Sequence, residues 1–229
     1  MTPADIRADQ PIRTFHRRGR ISQRHRDGLR DLWPRYGTGV GEDDGPLDTA
    51  DLFAREAPVV LEIGSGMGET AAEMAAADPD RDYLAVDVHT PGIANLLHLI
   101  HDRGLTNLRV AEGDALDLAR YRLRPGGLAA IHVFFPDPWP KVRHHKRRLI
   151  RPEPVALLTS RLAVGGTLHC ATDWADYATT MLRTLRAEPG LTDVHQGFAA
   201  RPDHRPPTKF ERRGVEAGRH VYDLVFQRV

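Results

Sequence analysis

Apolar and polar positions change rhythm sharply near residue 58. Over residues 1–35 the apolar side chains Phe15, Ile21, Leu29, Leu32 and Trp33 are too sparse to build a core, and the segment reads as a basic arm, partly helical over 22–32. Residues 36–57, glycine-rich and carrying the acidic cluster Glu42, Asp43 and Asp44, have the composition of a linker with one short apolar element around 51–55. From 58 to 229 apolar runs alternate with helical periods. Strands are predicted over Val59–Ile63, 83–87, 108–111, 128–135, 167–172, 191–198 and 220–226. Helices are predicted over 70–77, 91–103, 153–163 and 174–187, with a helix or turn at 115–120. In the clearest of them Ile93, Leu96, Leu97, Leu99 and Ile100 share one side, Pro91 suits the first turn and Gly104 is the stop. Seven apolar strands alternating with helices argue an α/β domain with a mostly parallel sheet, helices on both faces. The last two strands have no helix between them and predict an antiparallel pair at the sheet's end.

Composition narrows the class. The chain of 229 residues has no apolar run of membrane-spanning length and no apolar stretch near Met1 resembling an export signal, and its one cysteine, Cys170, excludes a disulfide framework or a cysteine-based zinc site. A soluble, cytoplasmic protein is the expectation. The net charge of +1 hides segregation: eight arginines face two acids over residues 13–35, and six basic residues stand without an acid over 141–151. Such blocks draw a polyanion to one face.

The sequence Val59-Val60-Leu61-Glu62-Ile63-Gly64-Ser65-Gly66-Met67-Gly68-Glu69-Thr70 is a strand entering a glycine turn and then a helix. Glycines here let the chain turn tightly and bring a ligand against bare backbone. The spacing G-x-G-x-G is one residue short of the dinucleotide fingerprint, and Glu62 and Glu69 would repel a pyrophosphate. Carboxylates favour a ligand bearing positive charge, and S-adenosylmethionine carries a sulfonium and an ammonium. Asp87, about 20 residues past the loop, is placed to hold a ribose, and Asp114 follows the third strand where an adenine edge would be read.

After the fourth strand comes Phe134-Phe135-Pro136-Asp137-Pro138-Trp139-Pro140-Lys141, whose prolines stiffen the course of the backbone around an acid and an indole. An indole stacks on a base, and a carboxylate accepts from a guanine edge or balances a developing positive charge. The basic run Arg143, His144, His145, Lys146, Arg147 and Arg148 follows directly and reads as a phosphate contact. The neighbouring His144 and His145 point apart and no cluster completes a metal site there, so no metal is expected.

These motifs, with Thr172-Asp173-Trp174 and Thr208-Lys209-Phe210-Glu211, occur in an order that resembles the bacterial tRNA (guanine-N7-)-methyltransferases over about residues 57–229. The proline-bracketed Asp137-Pro138-Trp139 and Thr208-Lys209-Phe210-Glu211 are the specific parts; Arg13, Phe15 and Arg17 to Arg20 look like the family's amino-terminal extension. The resemblance implies a Rossmann-like class I methyltransferase that moves the methyl of S-adenosylmethionine to N7 of a variable-loop guanosine in tRNA. It implies cofactor contacts from Glu62, Gly64, Gly66, Gly68, Asp87, Asp114 and Asp137, with Asp137 also the catalytic acid. Lys141, Asp173, Thr208, Lys209, Phe210 and Glu211 would hold the substrate, and Arg143 to Arg148 would meet RNA. Family members often carry glutamate at the position of Asp87. No membrane and no obligate protein partner are implied; a monomer or a homodimer is equally compatible.

Overall fold

Every residue of the run Val59–Ile63 is buried, as a strand covered on both faces must be, and this strand, β2, is central in the computed structural model of the chain. The structure describes residues 21–208, 211–212 and 218–229; Arg13, Phe15, Arg17 to Arg20, Lys209 and Phe210 lie outside them. The other strands are β1 (Gly37–Thr38), β3 (Asp82–Asp87), β4 (Leu108–Glu112), β5 (Leu128–Phe134), β6 (Leu162–Thr172), β7 (Leu191–Asp193) and β8 (Tyr222–Arg228). They form one sheet in the order β1-β4-β3-β2-β5-β6-β8-β7. Strands β1 to β6 pair in parallel, while β8 runs antiparallel to both β6 and β7.

Among the described residues the sheet therefore has eight strands where seven were expected. The additional one, β1, sets Gly37 opposite Val110 and Thr38 opposite Ala111 on β4. Two residues carry no readable period, and glycine is needed at position 37 because the Trp33 ring lies where a side chain would be. Two other boundaries differ from the expectation. Strand β7 stops at Asp193, whose Oδ1 accepts from the backbone N–H of His195 and Gly197 and so turns the chain away. Gly165 and Gly166, which lie between the predicted helix 153–163 and strand 167–172, fall inside β6, where the register is irregular: Leu128 pairs with Leu162 but Ala130 with Thr167.

Helices α1 (Gln23–Asp31), α2 (Trp33–Tyr36), α3 (Thr49–Phe53), α4 (Glu69–Ala77), α5 (Thr90–Arg103), α6 (Ala115–Asp117), α7 (Pro152–Arg161) and α8 (Ala175–Arg186) connect and cover the strands. Helix α5 has Pro91 in its first turn and Gly104 closing it in the left-handed conformation, with Ile93, Leu96, Leu97 and Ile100 fully buried. Ser22 caps α1, and α1 docks on α5, where His98 Nε2 meets the Arg24 carbonyl at 2.9 Å. The apolar core divides into two clusters, one around Leu61, Ile131 and Phe226, the other around Val60, Ala85 and Leu97. No helix among the described residues is long and apolar enough to cross a membrane.

Candidate active site

The strand order reverses direction between β2 and its two neighbours, β3 and β5, which opens a crevice beyond the carboxyl end of β2. The glycine turn occupies that point. Gly64, Gly66 and Gly68 have φ values of +82°, +59° and +85°, a region that other residues enter only at a cost. A Cβ on Gly64 or Gly66 would stand in open space, whereas one on Gly68 would meet Leu96 at 2.7 Å. The first two glycines thus present bare backbone outward, and the third lets α4 pack on α5.

Asp87 braces this turn. Its Oδ2 accepts from the Gly66 N–H at 2.7 Å and its Oδ1 from the His89 N–H at 2.9 Å. Asp114 accepts from the Leu116 N–H at 2.8 Å and caps α6. Asp87 ends β3 and Asp114 follows β4, each already engaged with backbone.

A cavity of about 380 Å³ opens under the glycine turn, with Phe134, Phe135, Pro207 and Thr208 on its far side. Three carboxylates, Glu62, Glu69 and Glu73, line it against one guanidinium, Arg212. Glu62 is only 3% exposed, and its Oε2 is buried without a hydrogen-bond partner. Burial, helped by the neighbouring charge of Asp87, pushes the Glu62 carboxyl up to about 8. Ser65 Oγ is likewise buried and unpartnered. Among the described residues the cavity is therefore apolar-walled and net-negative through Glu69 and Glu73, with an unpartnered Glu62 carboxyl oxygen beside it, and suits an organic cation.

Past β5 the backbone is strained: Phe135 and Trp139 have φ of +51° and +43°. Large side chains in the left-handed region are held there only by surrounding contacts, and such strain gathers at functional sites. The Phe135 N–H donates to the Ala171 carbonyl at 2.7 Å. Asp137, between the two strained residues, is exposed and has no side-chain hydrogen bond or ion pair among the described residues. It does not line the cavity.

The basic run takes two directions. Lys141, Arg143 and Lys146 are exposed, and the Arg147 guanidinium lies 4.9 Å over the Trp139 ring, which His144 meets edge-on. Arg148, expected among the RNA contacts, is instead 2% exposed. It stacks on Tyr177 at 4.6 Å and donates to Pro138, Asp176 and Thr180. An arginine so enclosed cannot reach a phosphate, and its place in the run is a correction to the sequence reading. Glu211, expected at the substrate, is also buried, in ion pairs with Arg205 and Arg201. Asp173 pairs with Arg219 at 2.9 Å.

Of the residues singled out in the sequence, Glu62, Gly64, Gly66, Glu69 and Thr208 meet at one cavity, with Asp87 bonded to the Gly66 N–H. Phe134 and Phe135, which open the proline-bracketed segment, and Arg212, next to Glu211, line the same cavity, and Glu73 was not anticipated. The apolar run of β5 was visible, but which of its side chains would face the cleft depends on a pairing register that one sequence does not display.

Comparison with known proteins gives a consistent picture. Residues 56–224 match a family model described as "Putative methyltransferase". A tRNA (guanine-N(7)-)-methyltransferase of Bordetella pertussis is 52% identical over 218 residues, covering 95% of this chain and 85% of that one. A tRNA (guanine-N(7)-)-methyltransferase of Streptomyces coelicolor is 53% identical over 232 residues, covering 99% and 84%. Among solved structures, the 16S rRNA methyltransferase KamB superposes with a TM-score of 0.54 at 20% identity, over 78% of this chain and 91% of that one. That last likeness shows the fold, a class I methyltransferase sheet.

Proposed function

This chain belongs to the tRNA (guanine-N(7)-)-methyltransferase family, and we propose on that premise that it transfers the methyl group of S-adenosylmethionine to N7 of the variable-loop guanosine of tRNA, position 46, giving 7-methylguanosine and S-adenosylhomocysteine. The observation that carries the reading at the site is Glu62, a buried carboxylate with an unpartnered oxygen beneath bare glycine backbone. Such an atom is costly unless a ligand satisfies it, and the ammonium of the methyl donor does so. Asp87 and Asp114, at the ends of β3 and β4, are assigned to the ribose and the adenine edge. The residues present therefore fit the donor.

S-adenosylmethionine, when bound, supplies a sulfonium-activated methyl that the N7 lone pair takes as the thioether leaves. Guanine N7 has that lone pair in the ring plane and carries no proton, so the chain needs no general base. Its work is alignment and stabilisation of the positive charge that develops on the guanine. We assign the second task to Asp137, which the stiff, strained loop presents with no competing partner among the described residues. We assign Trp139 to stack beside the base, Lys141, Asp173, Thr208, Lys209 and Phe210 to hold the substrate, and Arg143 to Arg147 to meet phosphates. Arg148 and Glu211 serve this site by holding its loops. The folded tRNA buries the target, so local opening accompanies binding.

The test is transfer of labelled methyl to two unmodified transcripts differing only in guanosine or adenosine at the variable-loop position, followed by cleavage specific to 7-methylguanosine. Label on the first alone, with cleavage at that nucleotide, is expected. Label on both transcripts, or none on either while the donor still binds, would overturn the assignment of atom and substrate.

A further inference from the structure

Methyl transfer leaves one chemical cluster of the molecule unused. His132 and His169 stand opposite each other in register on the parallel strands β5 and β6, so both side chains leave the same face of the sheet. The chain beyond β7 brings His204 back against them. His132 and His204 are stacked, with centroids 5.2 Å apart and planes 18° from parallel, and His169 meets the two rings edge-on at 5.9 and 5.2 Å. One ring nitrogen of each histidine lies within 4.8 Å of those of the other two. His169 Nδ1 and His204 Nε2 are 3.1 Å apart, close to the nitrogen–nitrogen edge of about 3.3 Å in a tetrahedral site with metal–nitrogen bonds of ~2.0–2.1 Å.

The surroundings are those of a ligand set. His169 Nε2 lies 2.8 Å from Asp223 Oδ1; the carboxylate accepts, so Nε2 carries the proton and Nδ1 turns a lone pair toward the cluster. A carboxylate behind a histidine in this way fixes the tautomer and orients the ring of a metal ligand. His132 Nδ1 is buried with no hydrogen-bond partner, a cost that a metal bond would remove. Arg205 is the adjacent cation, and its charge is taken up by Asp223 and by Glu211, which Arg201 also pairs, so the shell behind the three rings is charge-balanced. His204 is exposed, which gives an ion a way in and leaves a fourth position for water.

We propose that His132, His169 and His204 bind one divalent transition-metal ion of the zinc class, and that the ion fastens the segment around residues 199–212 to the sheet. That segment closes the far side of the cavity through Pro207, Thr208 and Arg212, so the ion is structural for the substrate loop and takes no part in the bond that forms. Imidazole nitrogen suits zinc, cobalt, nickel and copper alike, which makes cobalt a usable optical probe.

The full chain, stripped with a chelator, is titrated with Co²⁺ in the visible range and with Zn²⁺ by calorimetry. One equivalent of Co²⁺ producing tetrahedral-type absorption that stoichiometric Zn²⁺ abolishes is expected, together with a zinc-dependent rise in Tm. His204→Ala, at an exposed position where folding is not at risk, should weaken binding at least ~10-fold and remove the rise in Tm; His204→Gln serves as the second variant. Absence of stoichiometric binding, or binding unchanged in both variants, would overturn the site and leave a hydrogen-bonded histidine patch. Zinc should also slow tryptic cleavage after Arg212, and equal cleavage with and without zinc would overturn the fastening role.

Discussion

Arg148 donates through Nε to the Pro138 carbonyl at 2.8 Å, so a buried guanidinium grips the backbone one residue from Asp137. The same group pairs with Asp176 at 2.6 Å and lies over Tyr177, which ties the Asp137 loop to α8. Lysine supplies a point charge in place of a planar fork and cannot make these contacts together.

Arg148→Lys should therefore lower kcat for methyl transfer while leaving donor affinity nearly unchanged, because Glu62 and the glycine turn are untouched. The Asp176 side chain is 62% exposed, so its carboxylate stays solvated and remains available to the lysine ammonium. The loss is confined to the unsatisfied Pro138 carbonyl and poorer packing on Tyr177, about 1–3 kcal/mol of stability. Chemical denaturation and single-turnover kinetics measure the two effects separately, and a loss of donor binding equal to the loss of kcat would contradict the positioning role.

Glu62 should make donor binding proton-linked. Its carboxyl is raised from 4.5 to about 8 by burial and by Asp87, so at pH 7 most of the free protein carries it protonated. A cationic ligand favours the ionised form, and binding near pH 7 should release a proton to the buffer. Calorimetry in buffers of different ionisation enthalpy detects this release, and affinity should rise from pH 6 to about 8. Stability moves in the opposite sense. The folded state holds the proton in the window between 4.5 and about 8 and the unfolded state does not, so this group's contribution is greatest below 4.5 and is lost as pH climbs through 8. Glu62→Gln should remove that decline and raise the Tm of the ligand-free protein at pH 8, while weakening the donor ~10- to 100-fold through the lost charged contact.

Gly92→Ala should damage the site from outside it. A Cβ at this position in the first turn of α5 would overlap the carbonyl oxygen of Gly66. The overlap involves backbone on both sides, so relief requires moving the glycine turn away from α5. A stability loss of about 1–3 kcal/mol is expected from overpacking, with weaker donor binding as the turn shifts. Thermal unfolding together with donor titration checks it; full donor affinity in a destabilised variant would mean that the turn tolerates the displacement.

Strand succession was legible because β2, β3 and β5 are short apolar runs with turn residues at both ends, and α5 because its apolar side repeats over four turns. The two-residue β1 was not, since so short a segment has no period and its pairing with β4 is a tertiary contact. The same limit separates Arg148 from Arg143: adjacent basic residues look alike in a sequence, and only the packing of α8 makes one a buried strut. His132, His169 and His204 are more than 30 residues apart in sequence, so no spacing rule unites them; strand register and a returning loop do. Glu62 was readable in advance because its strand and its glycine turn are contiguous.

The exposed part of the basic run should carry salt dependence and little else. Arg143 and Lys146 project from the turn after Trp139 without shielding. If each neutralises one phosphate, Arg143→Ala with Lys146→Ala should reduce the slope of log affinity against log salt by about 1.4–1.8. The variant should keep donor affinity and, at saturating tRNA, most of kcat, because neither residue touches the cavity. Filter binding across a salt series measures the slope.

Asp137→Asn separates charge from hydrogen bonding at the reacting base. The amide keeps the shape and one acceptor oxygen but removes the negative charge. A general base would be indispensable if N7 carried a proton; it carries none, so residual turnover should persist and should not recover at high pH. What is lost is stabilisation of the cationic guanine, an effect that appears only as the methyl is transferred and therefore falls on kcat more than on KM. Removal of one charge-stabilising group of this kind costs about 10²–10³ in kcat where the site excludes water. Asp137 is exposed before tRNA binds, so the loss should lie at or below the lower end of that range. Near-normal turnover would remove Asp137 from the chemistry, and loss of donor binding in step with kcat would assign it to holding the donor.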